Sequence, residues 1–369
     1  MNYFDPRPKN SIRDFYDREE ELHSLWEGIR KREPLILVLG LRRYGKTSLV
    51  LTSLEELKNP YLYIDCRLLP SVTPISPKDL AMVLSNAFTS LIKKRRRYIE
   101  KIRSLIGNIK GFSVAGLEVK VNISSVRYDS IIDFFEGINN ISEHIVIVID
   151  EAQELRRMTR YRFDSFLGYV YDHLDNITII LTGSEIGLLY KFLKINDPEA
   201  PLFGRAYREI LLKPLDHDKA RDFLIKGFYQ ENMNPPEWFI DMCIEKLDGV
   251  IGWLSYLGYN VVRKGQFTKD AIEEILEKAS KMALEELEHF LELRQIARDR
   301  YMAILSVIAS LGEATWSEAY RGAEARVGRI PKPTINNMLR SLQDSGFIEK
   351  IDGKYKISDP VLYYALSKK

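Results

Sequence analysis

Leu35-Ile-Leu-Val-Leu-Gly-Leu-Arg-Arg-Tyr-Gly-Lys-Thr-Ser48 is the stretch that decides the fold. Its first residues, Leu35 to Leu39, form an unbroken apolar run, the pattern of a strand buried on both faces. Gly40-Leu-Arg-Arg-Tyr-Gly-Lys-Thr47 follows and fits G-x-x-x-x-G-K-[ST] at every specified position. Ser48-Leu-Val-Leu-Thr-Ser-Leu54 then opens a helical pattern. Glycines at these places let backbone N–H groups turn inward, and the helix N-terminus adds its positive dipole, so the loop is a cradle for phosphates. Lys46 is placed to reach β- and γ-phosphates and Thr47 to ligate Mg²⁺. The expected cofactors are therefore ATP or ADP with Mg²⁺. A chance glycine–lysine loop would lack one or both of these flanks.

Ile145-Val-Ile-Val-Ile-Asp150-Glu151 supplies the second half of such a site. A carboxylate at the end of a buried strand is costly unless something pairs with it. Mg²⁺ is that partner for Asp150, and Glu151, just beyond, is positioned to activate an attacking water. Thr182-Gly-Ser184 ends a further apolar run. Its hydroxyls either sense the γ-phosphate between the two halves or serve ordinary turn chemistry. Pro201-Leu-Phe-Gly-Arg205 places a guanidinium after a loop. Such an arginine, acting within its own chain or on a neighbour, raises turnover roughly a thousandfold or more when it reaches a γ-phosphate. Arg208 reads as a surface salt-bridge residue.

The alternation of short apolar runs and amphipathic stretches extends over the first two hundred or so positions. Leu35–Leu39, Tyr61–Asp65, Ile145–Ile149 and Ile177–Thr182 read as parallel strands, with Tyr207–Leu212 as a fifth. Leu80 to Ile106 reads as one long helix carrying Lys93-Lys-Arg-Arg-Arg97, and Gly111 to Asn122 as a small hairpin. From Asp216 the strands stop and helices take over. Near the C-terminus Tyr301–Leu311, Thr315–Ala325 and Lys332–Ser345 read as three helices, followed by a hairpin around Asp352-Gly353. That is the layout of a winged helix-turn-helix. The expected division is 1–215 for the core, 216–293 for a helical lid and 294–369 for the winged helix.

At 369 residues the chain is long enough for two or three cores. A net charge of +2 and 45% hydrophobic residues are ordinary for a soluble protein. Cys66 and Cys243 are far apart, which argues against a disulfide scaffold and fits a reducing cytoplasm. The five histidines are isolated, so a zinc cluster is not expected. The apolar runs are too short to span a bilayer, and no membrane association is expected.

The residues quoted resemble those of the archaeal P-loop ATPases of the STAND class, relatives of the AAA+ and origin-recognition ATPases. Phe15-Tyr-Asp-Arg-Glu-Glu-Glu-Leu22 is similar to that family's N-terminal motif, which approaches the adenine. The resemblance thus places Asp17 and Arg18 among the nucleotide contacts. It adds the whole loop Gly40, Leu41, Arg42, Arg43, Tyr44, Gly45, Lys46, Thr47 and Ser48, together with Thr182 and Ser184. It implies an α/β P-loop NTPase (AAA+-like) three-layer core with a parallel sheet, a helical lid and a C-terminal winged helix. Asp359-Pro360 is also similar to the family. One departure stands out: Gly249-Val-Ile-Gly-Trp253 lacks the proline of the family's Gly-x-Pro lid element, and no clear second-sensor arginine is visible in the lid.

Arg321, Arg326, Arg329, Lys332 and Arg340 face a single acid, Glu324, between positions 321 and 340. Thr334, Asn336 and Asn337 fall on the early turns of the candidate recognition helix, and Tyr355 with Lys350, Lys354 and Lys356 on the wing. Double-stranded DNA, contacted through residues 331–357, is the expected macromolecular partner. A protein partner and oligomer formation are the alternative, since winged helices also serve as interaction modules. The 93–97 run, with Arg103 and Lys110, reads as a solvated helix face. Taken together, the expected function is a slow, Mg²⁺-dependent ATPase switch in which Glu151, Lys46 and Arg205 carry the chemistry. The rival is a non-enzymatic, ATP-dependent recruitment platform.

Overall fold

The computed structural model describes residues 2–70, 74–94, 100–101, 103–104, 109, 111–122, 129–140, 143–158 and 161–368. Helix α1 (Glu19–Arg30) precedes β1 (Leu35–Leu39), α2 (Lys46–Leu57), β2 (Tyr61–Asp65) and α3 (Pro77–Lys94). A hairpin of β3 (Phe112–Ala115) and β4 (Glu118–Val121) leads to α4 (Asp129–Asn139) and β5 (Ile145–Asp150). Then come α5 (Phe163–His173), β6 (Ile177–Gly183), α6 (Ile186–Leu193) and β7 (Arg208–Leu211). The sheet order is β2-β5-β6-β1-β7, and every pairing is parallel.

The near-continuous apolar strands are explained by what covers them. Ile36, Val38, Val146, Val148 and Ile180 point into one hydrophobic cluster, and Leu35, Leu37, Leu39, Ile147 and Leu181 into the cluster on the opposite face. Two-sided burial forbids polar alternation, which is why these runs are legible as parallel strands. The expected long helix is described only as α3; Arg95, Arg96, Arg97 and Lys110 lie outside the described residues. Lys94 reaches Glu55 at 3.0 Å and the Tyr61 hydroxyl at 2.6 Å, so this end of the basic run packs on the core. The β3–β4 hairpin lies on α3, where Val119 N–H donates to Thr89 Oγ1 at 3.0 Å.

Helices α7 (His217–Gln230), α8 (Glu237–Leu247), α9 (Ile251–Lys264) and α10 (Lys269–Glu292) follow the sheet. Asp216 and Thr268 cap α7 and α10 by accepting from Lys219 N and Ala271 N. The chain ends in α11 (Arg298–Leu311), β8 (Glu313–Thr315), α12 (Trp316–Val327), α13 (Lys332–Asp344), β9 (Ile348–Ile351), β10 (Lys354–Ile357) and α14 (Pro360–Ser367). The small sheet has the order β8-β10-β9. This is a winged helix with a further short strand and a closing helix. The cluster on one face of the large sheet runs without interruption through Phe228 and Trp253 to Leu339 and Leu366. Sheet, lid helices and winged helix thus share one apolar core. No helix among the described residues is long and apolar enough to cross a membrane.

The turn from α8 to α9 is a tight point in this arrangement. Gly249 has φ +70, and its carbonyl accepts from Leu215 N at 2.9 Å. An added Cβ would press into the Leu215 carbonyl. Gly249→Ala is expected to cost about 1–3 kcal/mol or more, because left-handed strain and a backbone clash act together. A urea midpoint equal to that of the parent protein would show this turn to be permissive.

Candidate nucleotide site

Gly45 (φ 91) caps the N-terminus of α2, and Arg43 (φ 67) shares its left-handed conformation. The turn that follows β1 is thus left-handed at two positions just before the helix. Lys46 is buried and donates from Nζ to Gly40 O at 2.7 Å and Leu41 O at 3.0 Å. Burial pulls its pKa below the ordinary value, against the opposing pull of Glu151 and Asp150.

Strand β6 lies between β1 and β5, so the residues of its C-terminal end fall between the two halves of the site. Thr182 donates its hydroxyl to Asp150 Oδ1 and accepts the Glu151 N–H at 3.0 Å. Asp150 Oδ2 accepts from the Tyr63 hydroxyl at 2.5 Å and from Thr47 Oγ1 at 3.4 Å. Glu151 sits at φ 53, which turns its side chain back over the strand end. Its Oε2 accepts from Ser184 N–H at 2.9 Å, Ser184 Oγ at 2.6 Å and Gln153 Nε2 at 2.7 Å. Its Oε1 faces Lys46 Nζ at 3.9 Å. Burial works to raise the Glu151 pKa, but Lys46 and these hydrogen bonds hold it below the ordinary value.

These groups open into a cavity of about 860 Å³ lined by Arg42 to Ser48 and Glu151. Its far wall is aromatic. Tyr3 stacks on Phe223 with ring centroids 5.5 Å apart, and Tyr16 meets Phe223 edge-on at 5.3 Å. The N-terminal segment is held there by Lys9, which donates from Nζ to the Asn2 and Asp5 carbonyls and from its backbone N–H to Ser48 Oγ. Arg18 lines the same cavity and donates to the Lys213 carbonyl.

Several expected contacts are placed elsewhere. Asp17 is not among the lining residues and pairs with Lys219 at 2.9 Å. Gly40 contributes its carbonyl to Lys46, and Leu41 packs toward the winged helix rather than the cavity. Arg205 does not reach the site within its own chain. Its guanidinium pairs with Asp172 on α5 and lies over the Tyr171 ring at 5.3 Å. Arg208 forms a salt bridge with Glu33, as its surface reading implied.

The lid and winged helix touch the loop directly. Arg43 lies over the Trp253 ring at 3.9 Å, pairs with Glu286 of α10, and stands 3.9 Å from Asp359. Asp359 caps α14 and accepts the Trp253 indole N–H at 2.9 Å. Burial raises the Asp359 pKa. Gly346, in the turn after α13, is so close that an added Cβ would meet Leu41 Cδ2 at 2.7 Å. Arg294, beyond α10, also lines the cavity, with its guanidinium 3.8 Å from the Phe290 ring centroid. Sequence patterns carry no signal for Tyr63 or Arg294, because each gains its place from a neighbouring element.

Residues 15–254 match the family of ATPase domains found predominantly in Archaea. The chain belongs to that family. Residues 295–358 match the C-terminal winged helix-turn-helix domain of MCM proteins. Over the whole chain the fold is similar to the Walker-type ATPase of Pyrococcus abyssi, with TM-score 0.80 and 35% identity, covering 98% of this chain and 99% of that one. The Aeropyrum pernix ORC2 protein, solved as ADPNP–ADP complexes, has TM-score 0.61 at 12% identity, covering 99% and 95% of the two chains, a likeness of fold alone. An uncharacterized protein of Methanocaldococcus jannaschii is 25% identical over 267 residues, which are 67% of this chain and 49% of that protein. The chain thus spans about half the length of this curated relative. The matched range contains both the Gly40–Thr47 loop and the Asp150–Glu151 pair.

Proposed function

We propose that this protein binds ATP with Mg²⁺, hydrolyses it slowly to ADP and phosphate, and passes the nucleotide state to its winged helix. The observation that carries the reading is that Lys46, Thr47 and Glu151 line one cavity whose rim includes the lid and the turn after α13, with the buried Asp150 joined to Thr47 just behind that lining. Thr47 and Asp150 are a hard-oxygen pair suited to Mg²⁺, and the buried Asp150 carboxylate is a group that takes a cation, with Arg67 3.3 Å away. When bound, the metal would neutralise charge on the phosphates. Glu151 accepts a proton from water as that water's oxygen attacks the γ-phosphorus and the bond to the β-phosphate oxygen breaks. Ser184 and Gln153 fix the Glu151 carboxylate, and Lys46 holds the phosphates. Arg42, Arg43, Tyr44, Gly45 and Ser48 complete the cradle, and Arg18 stands beside the aromatic wall. Arg205 could act only on a neighbouring copy. The division 1–215, 216–293 and 294–369 is kept as a description of roles.

Duplex DNA is the macromolecular partner this reading favours. Arg321, Arg326, Arg329, Lys332 and Arg340 are exposed, and none has an ion-pair partner among the described residues. Asn336 and Asn337 are exposed beside them, and Trp316 Nε1 donates to Asn336 Oδ1 at 2.7 Å, which orients that amide. The wing is less suited than its sequence implied. Tyr355 is buried, Lys354 pairs with Glu313, and Lys356 with Glu349 at 3.1 Å. Phosphate contact by the free cations predicts affinity falling with log salt at a slope of about −4. Arg326→Glu with Arg340→Glu is expected to flatten that slope by about 2, read by fluorescence anisotropy. Charge reversal is the sound variant, because cutting off the winged helix would expose shared core. No binding at low salt would end this part of the proposal.

One observation favours the platform reading. Asp344, at the end of α13, pairs with Lys191 on α6, so that end of the recognition helix is covered by the core. ATP-dependent oligomers seen by light scattering, without DNA-stimulated turnover, would select it. ATPase turnover with and without duplex DNA is the deciding experiment.

A further inference from the structure

Asp65 and Asp150 end neighbouring strands in register, so two carboxylates stand side by side next to Arg67, which lines the cavity. Arg67 bridges them. Its Nε and Nη2 donate to Asp65 at 2.8 and 2.7 Å, and Nη2 also stands 3.3 Å from Asp150 Oδ2. Backbone geometry locks this arrangement, since Asp65 also caps the short 3₁₀ turn Cys66–Leu68 by accepting from Arg67 N. Asp150 Oδ2 is the oxygen that faces Thr47, and it takes Tyr63 as well. It is the oxygen a Thr47–Asp150 metal site needs.

Resting on the proposed function, we infer that Arg67 is a cationic gate on the metal position, competing with Mg²⁺ for Asp150 Oδ2. Three donors crowd one oxygen, and a divalent ion must displace one of them. Thr47 is needed by the metal, and Tyr63 is tethered on β2 beneath the strand ends. Arg67 is the group free to leave: its side chain is 57% exposed, its contact to Asp150 is the longer one, and Asp65 retains it afterwards. The arginine neutralises a carboxylate that would otherwise attract any cation. The gate therefore makes Mg²⁺ entry depend on the added pull of nucleotide phosphates. Arg67 is a positioning residue here and touches no reacting atom.

The test titrates Mg²⁺ into full-length protein with ADP and follows nucleotide binding by calorimetry, for the parent, Arg67→Ala, Arg67→Gln and Arg67→Lys. Removing the competitor should lower the half-saturating Mg²⁺ concentration about fivefold in the Ala and Gln variants, roughly the loss of one partly exposed ion pair. The Lys variant should fall between the parent and the neutral variants, since it keeps the charge but loses the fork that bridges the two carboxylates. In excess EDTA, ADP affinity should stay within about threefold for all four, because carboxylates rather than phosphates hold Arg67. An unchanged or raised Mg²⁺ requirement in both neutral variants overturns the gate. So does a tenfold or larger loss of ADP affinity in EDTA, which would make Arg67 a phosphate ligand. If the parent binds no ADP with Mg²⁺, the proposed function itself falls. If it binds while the variants do not shift, only the gate does.

Discussion

Lys46→Ala is expected to lower ATP and ADP affinity by about 10²- to 10⁴-fold, effectively abolishing binding. Each charge-assisted hydrogen bond from an ammonium to phosphate contributes about 1.5–3 kcal/mol, and Lys46 is placed to make two. Fold should survive. The ammonium is buried at a desolvation cost that two loop carbonyls and the more distant Glu151 and Asp150 offset. Deleting it removes that cost together with the hydrogen bonds. The thermal midpoint without nucleotide should therefore move by only a few degrees, while the stabilisation that ADP gives the parent disappears. Calorimetric titration checks the first part and thermal melts the second. Binding within threefold of the parent would mean the phosphates lie elsewhere.

In the proposed function, the placement of Arg43 would give a physical route from nucleotide to winged helix. Its carbonyl accepts from Gly252 N at 2.9 Å, while its guanidinium contacts Trp253, Glu286 and the vicinity of Asp359. Phosphates that draw on this loop act on a residue already held by the lid and by the cap of α14. Because the core is continuous, a shift of the loop is transmitted to packed side chains and not to a slack linker. Trp253→Phe keeps an aromatic ring but deletes the indole donor to the half-buried Asp359, which retains the Val361 and Leu362 N–H groups. The expected cost is about 0.5–1.5 kcal/mol, read as a lower urea midpoint, the usual net contribution of one hydrogen bond.

Much of this was legible in the chain itself. Leu35–Leu39 and Ile145–Ile149 announce parallel strands because burial on both faces leaves no polar alternation, and the glycine–lysine turn between a strand and a helix announces a P-loop fold. Other features depend on tertiary packing. Arg205 follows a loop as a γ-phosphate arginine does, but within its own chain its direction is set by α5, whose Asp172 pairs with it. Tyr355 was given to the wing surface although Lys354-Tyr-Lys-Ile357 alternates, and period two puts Tyr355 with Ile357 on the inner face. Arg67 carried a signal that went unread, an arginine two positions after an acid that ends a strand. Asp359 and Trp253 could not be paired in advance, because they are 106 positions apart and meet only through tertiary packing.

Glu151→Gln is expected to keep nucleotide and stop turnover, a loss of about 10²- to 10⁴-fold in single-turnover phosphate release, the usual contribution of a positioned base. The substitution is nearly isosteric. The amide oxygen can take the place of Oε2 and accept from Ser184 and Gln153, so the site keeps its shape. The amide nitrogen then falls where Oε1 faces Lys46, and it has no lone pair for a water proton. ATP affinity should stay within about threefold, because the phosphates are bound by the loop and by Lys46 rather than by Glu151. The pH dependence supplies an independent check. The Glu151 carboxyl is held below its ordinary value, so it is already deprotonated at neutral pH. Turnover by the parent should therefore show no acidic limb from this group across about pH 6–8. Normal turnover by Glu151→Gln would move the base to another carboxylate on the rim, of which Glu185, raised by burial, faces Arg42.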